Sequence, residues 1–571
     1  MALSLMAAST FAQGIAQQQQ SQRIGTRPAI KNAVAAKHGI RHDNVDLKSA
    51  AQATTYKVKK ASDSDTLITE TPAGTLYENL YYSSDSYYDS EYYEVSGTAC
   101  SVVEGDDGYF YIKNPFGNIA TNTWLKGEKD DDGYIAVTLP QYMYEEDYYG
   151  YIYDYYAYKM VYDESSYGYI IYDGDDQTIR FSWEDSVLTQ IDNDYMLGLC
   201  YESGSWSGYG DYNIVAKPLN AEPVTLPEGA VTENYIWKYI NNYNEEAMEM
   251  VRVVIDGDDI YIGDLMDDYY EADLWLKGTI SGNTVTVPAM EYLGIEPTLN
   301  GHVFASKTDA DLYYYDYTEI YGEEYADWNF YYYYCTDFID EDYVFDYDPE
   351  TKTLTSSEKM LLNQGCDFVY YYSMMVEPSF EPFEEVAATP ADPSFVEFLE
   401  YTADYGYGYM DVIIPYTDVD GNFLNTEKMY YNIYIDDELF TMYNDEYLYL
   451  DYEELTDIPY DYTEYYDIFI YSSSEHVIYF YTTGFDKIGI QSFYTGGDEV
   501  NSSNLVYYIV ETGETETVDA GIANIETAGE EADVRYTDLS GRVVSTPAEG
   551  IYIKTTTYTD GSKKSVKVVV K

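Results

Sequence analysis

Carboxylates and tyrosines are the side chains of this sequence that could do chemistry, because histidine is scarce. The chain carries 103 Asp+Glu and 75 Tyr but only 4 His, and histidine is the usual general base near neutral pH. Two carboxyl groups about 5 to 9.5 Å apart, one of them with a raised pKa, can hydrolyse a glycosidic bond. The composition therefore leaves a secreted carboxylate-dependent glycan hydrolase open, although nothing in the sequence singles out one pair of acids.

Short clusters of Asp and Gly offer a second kind of site, because hard cations such as Ca²⁺ prefer oxygen ligands. The candidate cation ligands in these clusters are Asp130, Asp132, Asp256, Asp258, Asp418 and Asp420. None of the clusters completes the D-x-D-x-D-G loop with its distal Glu, and Asp-Gly is also the ordinary sequence of a hairpin turn. We therefore expect turns and no cofactor, with Ca²⁺ as the alternative.

Histidine and cysteine show no catalytic or metal-binding pattern. His302 and His476 have no second His or Cys at ligand spacing nearby, so both are expected to be structural or surface residues. The cysteines are Cys100, Cys200, Cys335 and Cys366. They form no C-x-x-C motif, which favours independent buried thiols, although export would permit disulfides in three pairings. Since G-x-S-x-G, H-E-x-x-H and Walker motifs are also absent from the sequence, we predict that the protein is not an enzyme.

Tyrosine-rich runs at 313–317 and 331–334 suggest a binding surface. An exposed aromatic ring beside carboxylates can stack on a sugar ring while neighbouring oxygens bond its hydroxyls. The alternative is that these runs are ordinary strands, since tyrosine suits a pleated surface that is buried on one face and wet on the other.

The net charge excludes some classes of partner. At −73 for 571 residues, the chain is not expected to bind nucleic acid or an anionic membrane surface, because both depend on Lys and Arg. The charge is uneven: residues 1–65 carry nine Lys/Arg against four Asp/Glu, 534–571 carry seven against three, and the part between carries 14 against 96. With 46% hydrophobic and 18% aromatic residues, the acidic body should fold, since disordered acidic chains lack such residues.

An internal duplication predicts the fold class. The segment Trp124–Gly127 followed by a strand ending at Pro140 matches Trp275–Gly278 followed by a strand ending at Pro288. The two copies differ in length at an Asp/Gly or Gly/Asn turn, as expected of β-hairpins. We therefore predict an all-β protein in which residues 65–220 and 221–387 are tandem β-meanders, each closed as a barrel or stacked as a sandwich.

The remaining segments are assigned from turn spacing and composition. Residues 388–518, with short strands and a turn every 8 to 15 residues, are predicted to form an immunoglobulin- or fibronectin-like sandwich, followed by an acidic linker at 519–533. At the amino end, residues 1–12 are typical of the remnant of a signal peptide cleaved between Ala12 and Gln13, and 13–64 of a linker or pro-segment. No Lys or Arg precedes the apolar run, so we expect the true start to lie upstream of Met1.

Residues 534–571 carry three ordered motifs that end at the last residue. They are D-L-x-G-R-x-V, G-I-Y-I and a basic V-V-V-K ending, and the residues that define them are Leu539, Gly541, Arg542, Gly550, Tyr552 and Lys571. This pattern resembles the carboxyl-terminal sorting domain of type IX secretion cargo, and the body resembles uncharacterised repeat-containing surface proteins of bacteria that use this system. The resemblance implies contact with the type IX machinery and then release or attachment to surface lipopolysaccharide.

These observations together indicate a secreted or outer-surface protein without a transmembrane segment. Its expected role is binding or adhesion, toward glycans or peptides. The alternatives are the glycan hydrolase and a passive acidic surface-layer component.

Overall fold

A computed structural model of the chain describes the fold of residues 66–88, 91–117, 119–148, 151–165, 168–266, 273–298, 300–316, 318, 329–365, 370–402, 406–447, 450–464, 467–472, 474–519, 531–538, 543–544, 550–558 and 563–570. The prediction of an all-β protein is confirmed, since these residues form strands joined by turns. The chain divides into two compact units, Met1–Glu384 and Glu385–Lys571.

The described residues of the first repeat form twelve strands. They are β1 (Gly74–Tyr88), β2 (Glu91–Gly105), β3 (Tyr109–Lys113), β4 (Trp124–Lys129), β5 (Ile135–Thr138), β6 (Gln141–Tyr148), β7 (Tyr151–Asp163), β8 (Gly168–Ile171), β9 (Thr178–Glu184), β10 (Val187–Gln190), β11 (Met196–Tyr201) and β12 (Trp206–Lys217). Eight of them close a ring in the order β1-β2-β3-β4-β5-β9-β10-β12, because β12 pairs back onto β1. The other four form a side sheet that joins the ring through the β11–β12 pairing.

The second repeat has the same pairing pattern in its described residues. Its strands are β13 (Glu233–Ile240), β14 (Glu246–Asp256), β15 (Asp259–Ile262), β16 (Leu276–Ser281), β17 (Thr284–Val287), β18 (Glu291–Glu296), β19 (Gly301–Tyr315), β20 (Phe330–Ile339), β21 (Tyr343–Asp348), β22 (Thr353–Thr355), β23 (Lys359–Gln364) and β24 (Tyr370–Pro382). The ring here is β13-β14-β15-β16-β17-β21-β22-β24, and β24 closes it onto β13. Strands β18, β19, β20 and β23 form the side sheet.

Side chains fill the interior of both barrels. The first is packed with residues such as Tyr82, Leu125 and Phe181, and the second with residues such as Trp237 and Phe380, all nearly inaccessible to solvent. An eight-stranded barrel is just wide enough for inward side chains to fill it. Of the two predicted alternatives, both repeats are therefore barrels and not sandwiches. The interior of each barrel is a hydrophobic core.

The two repeats meet along β2 and the start of β19. Ala99 N–H donates to the carbonyl of Asn300 at 2.7 Å, and the Gln364 side-chain amide donates to the Ser96 carbonyl at 3.2 Å. Gly97, with φ at +87°, lies so close to the backbone of Gly365 that a Cβ atom there would overlap it. This junction brings backbone of both repeats into direct contact.

The second unit contains a two-sheet sandwich. Its strands are β25 (Ser394–Leu399), β26 (Gly408–Ile413), β27 (Met429–Ile435), β28 (Glu438–Leu439), β29 (Met442–Tyr443), β30 (Glu454–Leu455), β31 (Ile458–Pro459), β32 (Ile468–Ser472), β33 (Glu475–Phe480), β34 (Lys487–Tyr494), β35 (Asn501–Ser502), β36 (Leu505–Ile509) and β37 (Glu514–Val518). Three-residue 3-10 turns lie at Thr426–Lys428 and Gly496–Asp498.

The order of these strands is that of an immunoglobulin-type sandwich. One sheet runs β25-β26-β33-β32 and the other β28-β27-β34-β36-β37. With β25, β26, β27, β32, β33, β34 and β36 lettered A to G, the sheets read A-B-E-D and C-F-G, which is the immunoglobulin arrangement. Met410, Tyr431, Ile478 and Ile490 fill the space between the sheets, in place of the Cys and Trp core of antibody domains.

The carboxyl-terminal residues form a separate four-stranded sheet. Its strands are β38 (Glu531–Asp538), β39 (Val543–Val544), β40 (Gly550–Tyr558) and β41 (Lys563–Val570), in the order β39-β38-β40-β41.

Replacing Gly97 by alanine should destabilise the protein more than the same change at Gly108. Both glycines have φ at +87°, but a Cβ atom at Gly108 meets nothing within 4 Å, whereas at Gly97 it meets Gly365. We expect Gly108→Ala to cost about 1 kcal/mol from the left-handed backbone alone, and Gly97→Ala to cost about 2 kcal/mol more from overpacking. Urea unfolding measures both; equal free energies of unfolding for the two variants would contradict the close junction.

Candidate functional site

The side sheet of the second repeat has a face that points away from the barrel. Along β19, Val303 and Ala305 belong to the barrel core, so the alternate residues lie on the opposite face. There Ala310 packs with Cys335 of β20 and Leu361 of β23 in a small buried cluster. The hairpin of β19 and β20 continues outward from this cluster, which anchors it.

The far end of this hairpin carries exposed aromatic rings on that outward face. Tyr314 and Tyr331 are direct cross-strand partners with ring centroids 4.8 Å apart, and their exposed fractions are 50% and 51%. Leu312, also exposed, and Tyr333, partly buried, are paired one step nearer the core. We call Leu312, Tyr314, Tyr331 and Tyr333 the tyrosine face; it is an apolar surface that also carries phenol hydroxyls.

The opposite face of the same hairpin is packed. Tyr332 and Tyr334 are buried with Phe330, and Tyr243 from the β13–β14 turn packs against them. Tyr315 stacks on Phe330 with ring centroids 5.6 Å apart. Because one face is held in this way, the exposed rings of the other face are presented on a stiff support.

The two repeats differ where their hairpins extend. Strand β8 has 4 residues, whereas its counterpart β20 has 10. Strand β6 of the first repeat has 8 residues, whereas its counterpart β18 has 6. Its Tyr144 stacks on Tyr155 of β7, with ring centroids 4.5 Å apart. On the outward side of the first repeat, Tyr92 and Tyr162 are exposed. The eight-stranded rings of the two copies have the same strand pairing. The hairpins that extend from them differ, so the hairpins are the parts that can take on a separate function.

The Asp-Gly clusters are used as turns. The Asp130 carboxylate accepts the N–H of Asp132 at 3.1 Å and that of Tyr134 at 2.9 Å. Asp418 accepts the N–H of Asp420 at 2.9 Å in the same way. These are Asx turns, in which the side chain caps the local backbone.

The third Asp-Gly cluster forms the β14–β15 turn. Asp256 and Asp258 flank Gly257, whose φ is +63°.

Across the described part of the chain, no group of three or more His, Cys, Asp or Glu side chains is placed to hold a metal ion.

The two buried histidines, His302 and His476, pack in different parts of the structure. His302 lies at the junction of the repeats, where its Nδ1 is 2.9 Å from the Tyr292 hydroxyl and burial lowers its pKa to about 4. His476 lies inside the sandwich, where its Nε2 is 3.0 Å from the Tyr460 carbonyl, and burial lowers its pKa as well. Both imidazole rings are therefore buried among packed side chains.

The described cysteines are independent buried thiols. Cys100, Cys200 and Cys335 are free, and burial raises the pKa of each thiol. Cys366 lies outside the described residues.

One perturbed carboxyl group could not be picked out among the acids of the sequence. Asp411 on β26 is the cross-strand partner of Glu397 on β25, and Glu475 on β33 lies diagonally opposite. Burial, the charges of Glu475 and Glu397 and a hydrogen bond to Glu475 raise the pKa of the Asp411 carboxyl to about 7. Because Asp411 and Glu475 are in hydrogen-bond contact, this pair lacks the separation of about 5 to 9.5 Å that glycoside hydrolysis needs.

The residues predicted for sorting and cleavage fall mostly outside the described part. Gly550 begins β40, and Tyr552 on that strand pairs with Asp538 and Val568. The predicted sorting and cleavage residues outside the description are Leu539, Gly541, Arg542, Lys571, Ala12 and Gln13.

Comparisons with protein-family models, with curated proteins and with solved structures find no match for this chain. Within the residues that the structure describes, no helix has the length and apolar character needed to cross a membrane. The candidate site therefore stands on its own geometry. It is a surface that can stack and form hydrogen bonds through tyrosine, and it is distant in sequence from the Asp411 group.

Asp411→Asn should stabilise the sandwich at alkaline pH and change little in acid. In the folded protein the Asp411 carboxyl keeps its proton to about pH 7, whereas the unfolded group loses it near 3.8, so its contribution to stability falls as pH rises between these values. The expected gain for the variant is about 2 kcal/mol at about pH 8, discounted for partial exposure. Urea unfolding at about pH 4 and pH 8 measures it. Asp420→Asn, which removes an exposed turn carboxylate, is the control; a gain that does not depend on pH would contradict the shifted titration.

Proposed function

We propose that this chain is an exported binding or adhesion protein whose ligand contacts the tyrosine face. The observation that carries the proposal is the half-exposed, cross-strand pair Tyr314 and Tyr331 on a hairpin whose other face is packed. Contiguous exposed apolar surface, when large enough, marks interaction sites on soluble proteins. Tyrosine also contributes large contact area at a small entropic cost, since few of its torsions are lost on binding.

The filled barrels support a surface role rather than a cavity role. The ring interiors are occupied by side chains such as Trp237 and Tyr82, so the rings serve as scaffold. Ligand contact then falls to the hairpins that extend beyond the rings. In many proteins a rigid scaffold holds the binding residues on its variable connecting segments.

Export is proposed from the carboxyl-terminal motifs. Their resemblance to type IX sorting domains supports delivery through that machinery to the outer cell surface or the medium, with surface lipopolysaccharide as a further possible attachment. The strands β38 to β41 form a sheet of their own, which suits a domain that is recognised and removed as a unit.

Removing the paired rings should abolish ligand binding. On glycan and peptide arrays, the full chain is expected to give a set of positive spots that Tyr314→Ala/Tyr331→Ala loses, because each ring supplies stacking area of order 1 kcal/mol. The matched control is Tyr443→Ala/Tyr452→Ala, two similarly exposed tyrosines of the second unit, at 48% and 45%. Silence across both arrays, or equal loss with the control, would contradict the proposal.

Deleting residues 534–571 should retain the protein inside a bacterium that has a type IX system. The expected result is loss of the chain from the surface and medium fractions, detected with an antibody to the body, with accumulation in the periplasm. The Tyr314→Ala/Tyr331→Ala variant of the full chain should be exported normally and serves as control. Undiminished surface protein after the deletion would contradict the sorting role.

A further inference from the structure

We infer that Tyr314 and Tyr331 are a modification site, at which a one-electron oxidant joins the two rings by a carbon–carbon bond to give a dityrosine. The oxidant class is a haem peroxidase that consumes hydrogen peroxide. The bond would tie the outer end of β19 to that of β20. This inference goes beyond the proposed function and does not depend on the ligand of the tyrosine face.

The strand register places the two side chains next to each other. Tyr314 on β19 and Tyr331 on β20 are direct cross-strand partners. Two residues along β20, the N–H of Tyr333 donates to the carbonyl of Asn242 at 2.7 Å and so points away from Leu312, its own partner. Cross-strand pairs alternate between hydrogen-bonded and non-hydrogen-bonded. The Tyr314–Tyr331 pair is therefore of the second kind, in which side chains lie closer together.

The two rings are in contact on a backbone that is held in place. Their centroids lie 4.8 Å apart with the ring planes at 45°, near the short end of the range for contacting aromatic rings, about 4.5 to 7 Å. Phe330, Tyr332 and Tyr334 on the packed face of the hairpin fix its backbone. Exposed side chains change rotamer within nanoseconds, so the ring carbons next to the phenol oxygens can meet without a change in the strands.

Both rings of the proposed site are open to an oxidant in solution, at 50% and 51% exposed. Two other close tyrosine pairs each have a buried member. Tyr155 of the Tyr144–Tyr155 pair is 1% exposed, and Tyr87 of the Tyr87–Tyr92 pair is 5% exposed, although their ring centroids lie 4.5 and 4.7 Å apart. Closeness and access to the oxidant therefore coincide on the β19–β20 hairpin.

The reaction balances in atoms and electrons. Each phenol gives one electron to the oxidant and one proton to water, which leaves a tyrosyl radical with unpaired spin on the carbons ortho to the oxygen. Two such radicals combine to form one carbon–carbon bond. Each bonded ortho carbon then releases its hydrogen as a proton and the phenol oxygen of that ring takes one up, which restores both aromatic rings. The two electrons and two protons that are lost reduce one hydrogen peroxide to two waters.

Proximity favours a bond within one chain over a bond between chains. Two radicals on the same hairpin react as an intramolecular pair, for which the effective concentration far exceeds that of separate molecules in dilute solution. At low protein concentration the product is therefore a linked monomer.

The test oxidises the dilute full chain with a haem peroxidase and hydrogen peroxide. Monomer is isolated by size-exclusion chromatography under denaturing conditions, its dityrosine fluorescence is measured, and a digest is analysed by mass spectrometry. A protease that cuts after Asp and Glu separates the two strands, because acids lie between them in the sequence. We expect the peptides 312–316 and 328–337 to be joined with the loss of two hydrogen atoms.

Conservative variants identify the linked rings. Tyr314→Phe and Tyr331→Phe, tested separately, should each lose the joined peptides, because a Phe ring has no phenol hydrogen to give. Both changes keep the ring at an exposed position and leave the fold in place. The matched control is Tyr313→Phe/Tyr332→Phe on the opposite face of the same hairpin, where the ring centroids lie 5.9 Å apart and Tyr332 is 6% exposed. It should still form the joined peptides.

Oxidation of the chain unfolded in urea shows whether the fold makes the site, with free tyrosine as the check that the peroxidase stays active. The joined peptides should fall in yield there, because the register no longer pairs the rings. An equal yield from the unfolded chain, a monomer bond that survives in Tyr314→Phe, or a bond found only between chains would overturn the inference. Oxidation of other tyrosines without a bond between Tyr314 and Tyr331 would overturn it as well.

Discussion

Pairing of the first strand with the last closes each repeat, and the rest of the first unit depends on that closure. Strand β12 bonds to β1 and β24 to β13, which removes the two open edges that each sheet would otherwise expose. The closed ring forces alternate side chains into an interior of fixed size, and that interior is full. A filled barrel has no room for a ligand, which is why the proposed binding surface is placed on strands that extend beyond the ring.

The duplication then explains how the copies could diverge without loss of stability. Their rings share one pairing pattern, while strand β20 of the second side sheet has 10 residues against 4 in its counterpart β8. The junction at Gly97 and Gly365 holds the copies together through backbone contacts. Change in the hairpins leaves both the rings and the junction intact, and the exposed pair Tyr314 and Tyr331 lies on one such hairpin.

Much of the fold could be predicted from the sequence because local patterns determine it. Alternation in the strands and Gly at the turns indicated hairpins, and the matched Trp124 and Trp275 segments indicated a duplication. Barrel closure could not be predicted, since it depends on pairing between strands more than a hundred residues apart, for example Tyr81 with Lys217. The sandwich was predicted from turn spacing alone. Turn spacing does not give the order of strands in each sheet, which the structure shows to be of the immunoglobulin type.

The candidate site was predictable in composition but not in arrangement. The runs at 313–317 and 331–334 pointed to an aromatic surface, yet only the register pairs Tyr314 with Tyr331 and leaves them exposed together. Asp411 gives no local signal, because its raised pKa comes from Glu397 and Glu475 on neighbouring strands. The Asp-Gly clusters were open to two interpretations, and the hydrogen bonds of Asp130 and Asp418 favour the turn. Hydrogen–deuterium exchange of the full chain with and without a glycan or peptide that is positive on the arrays tests the central claim most directly: added protection confined to 312–315 and 330–333 is predicted, and protection centred on the barrel strands or the sandwich would contradict it.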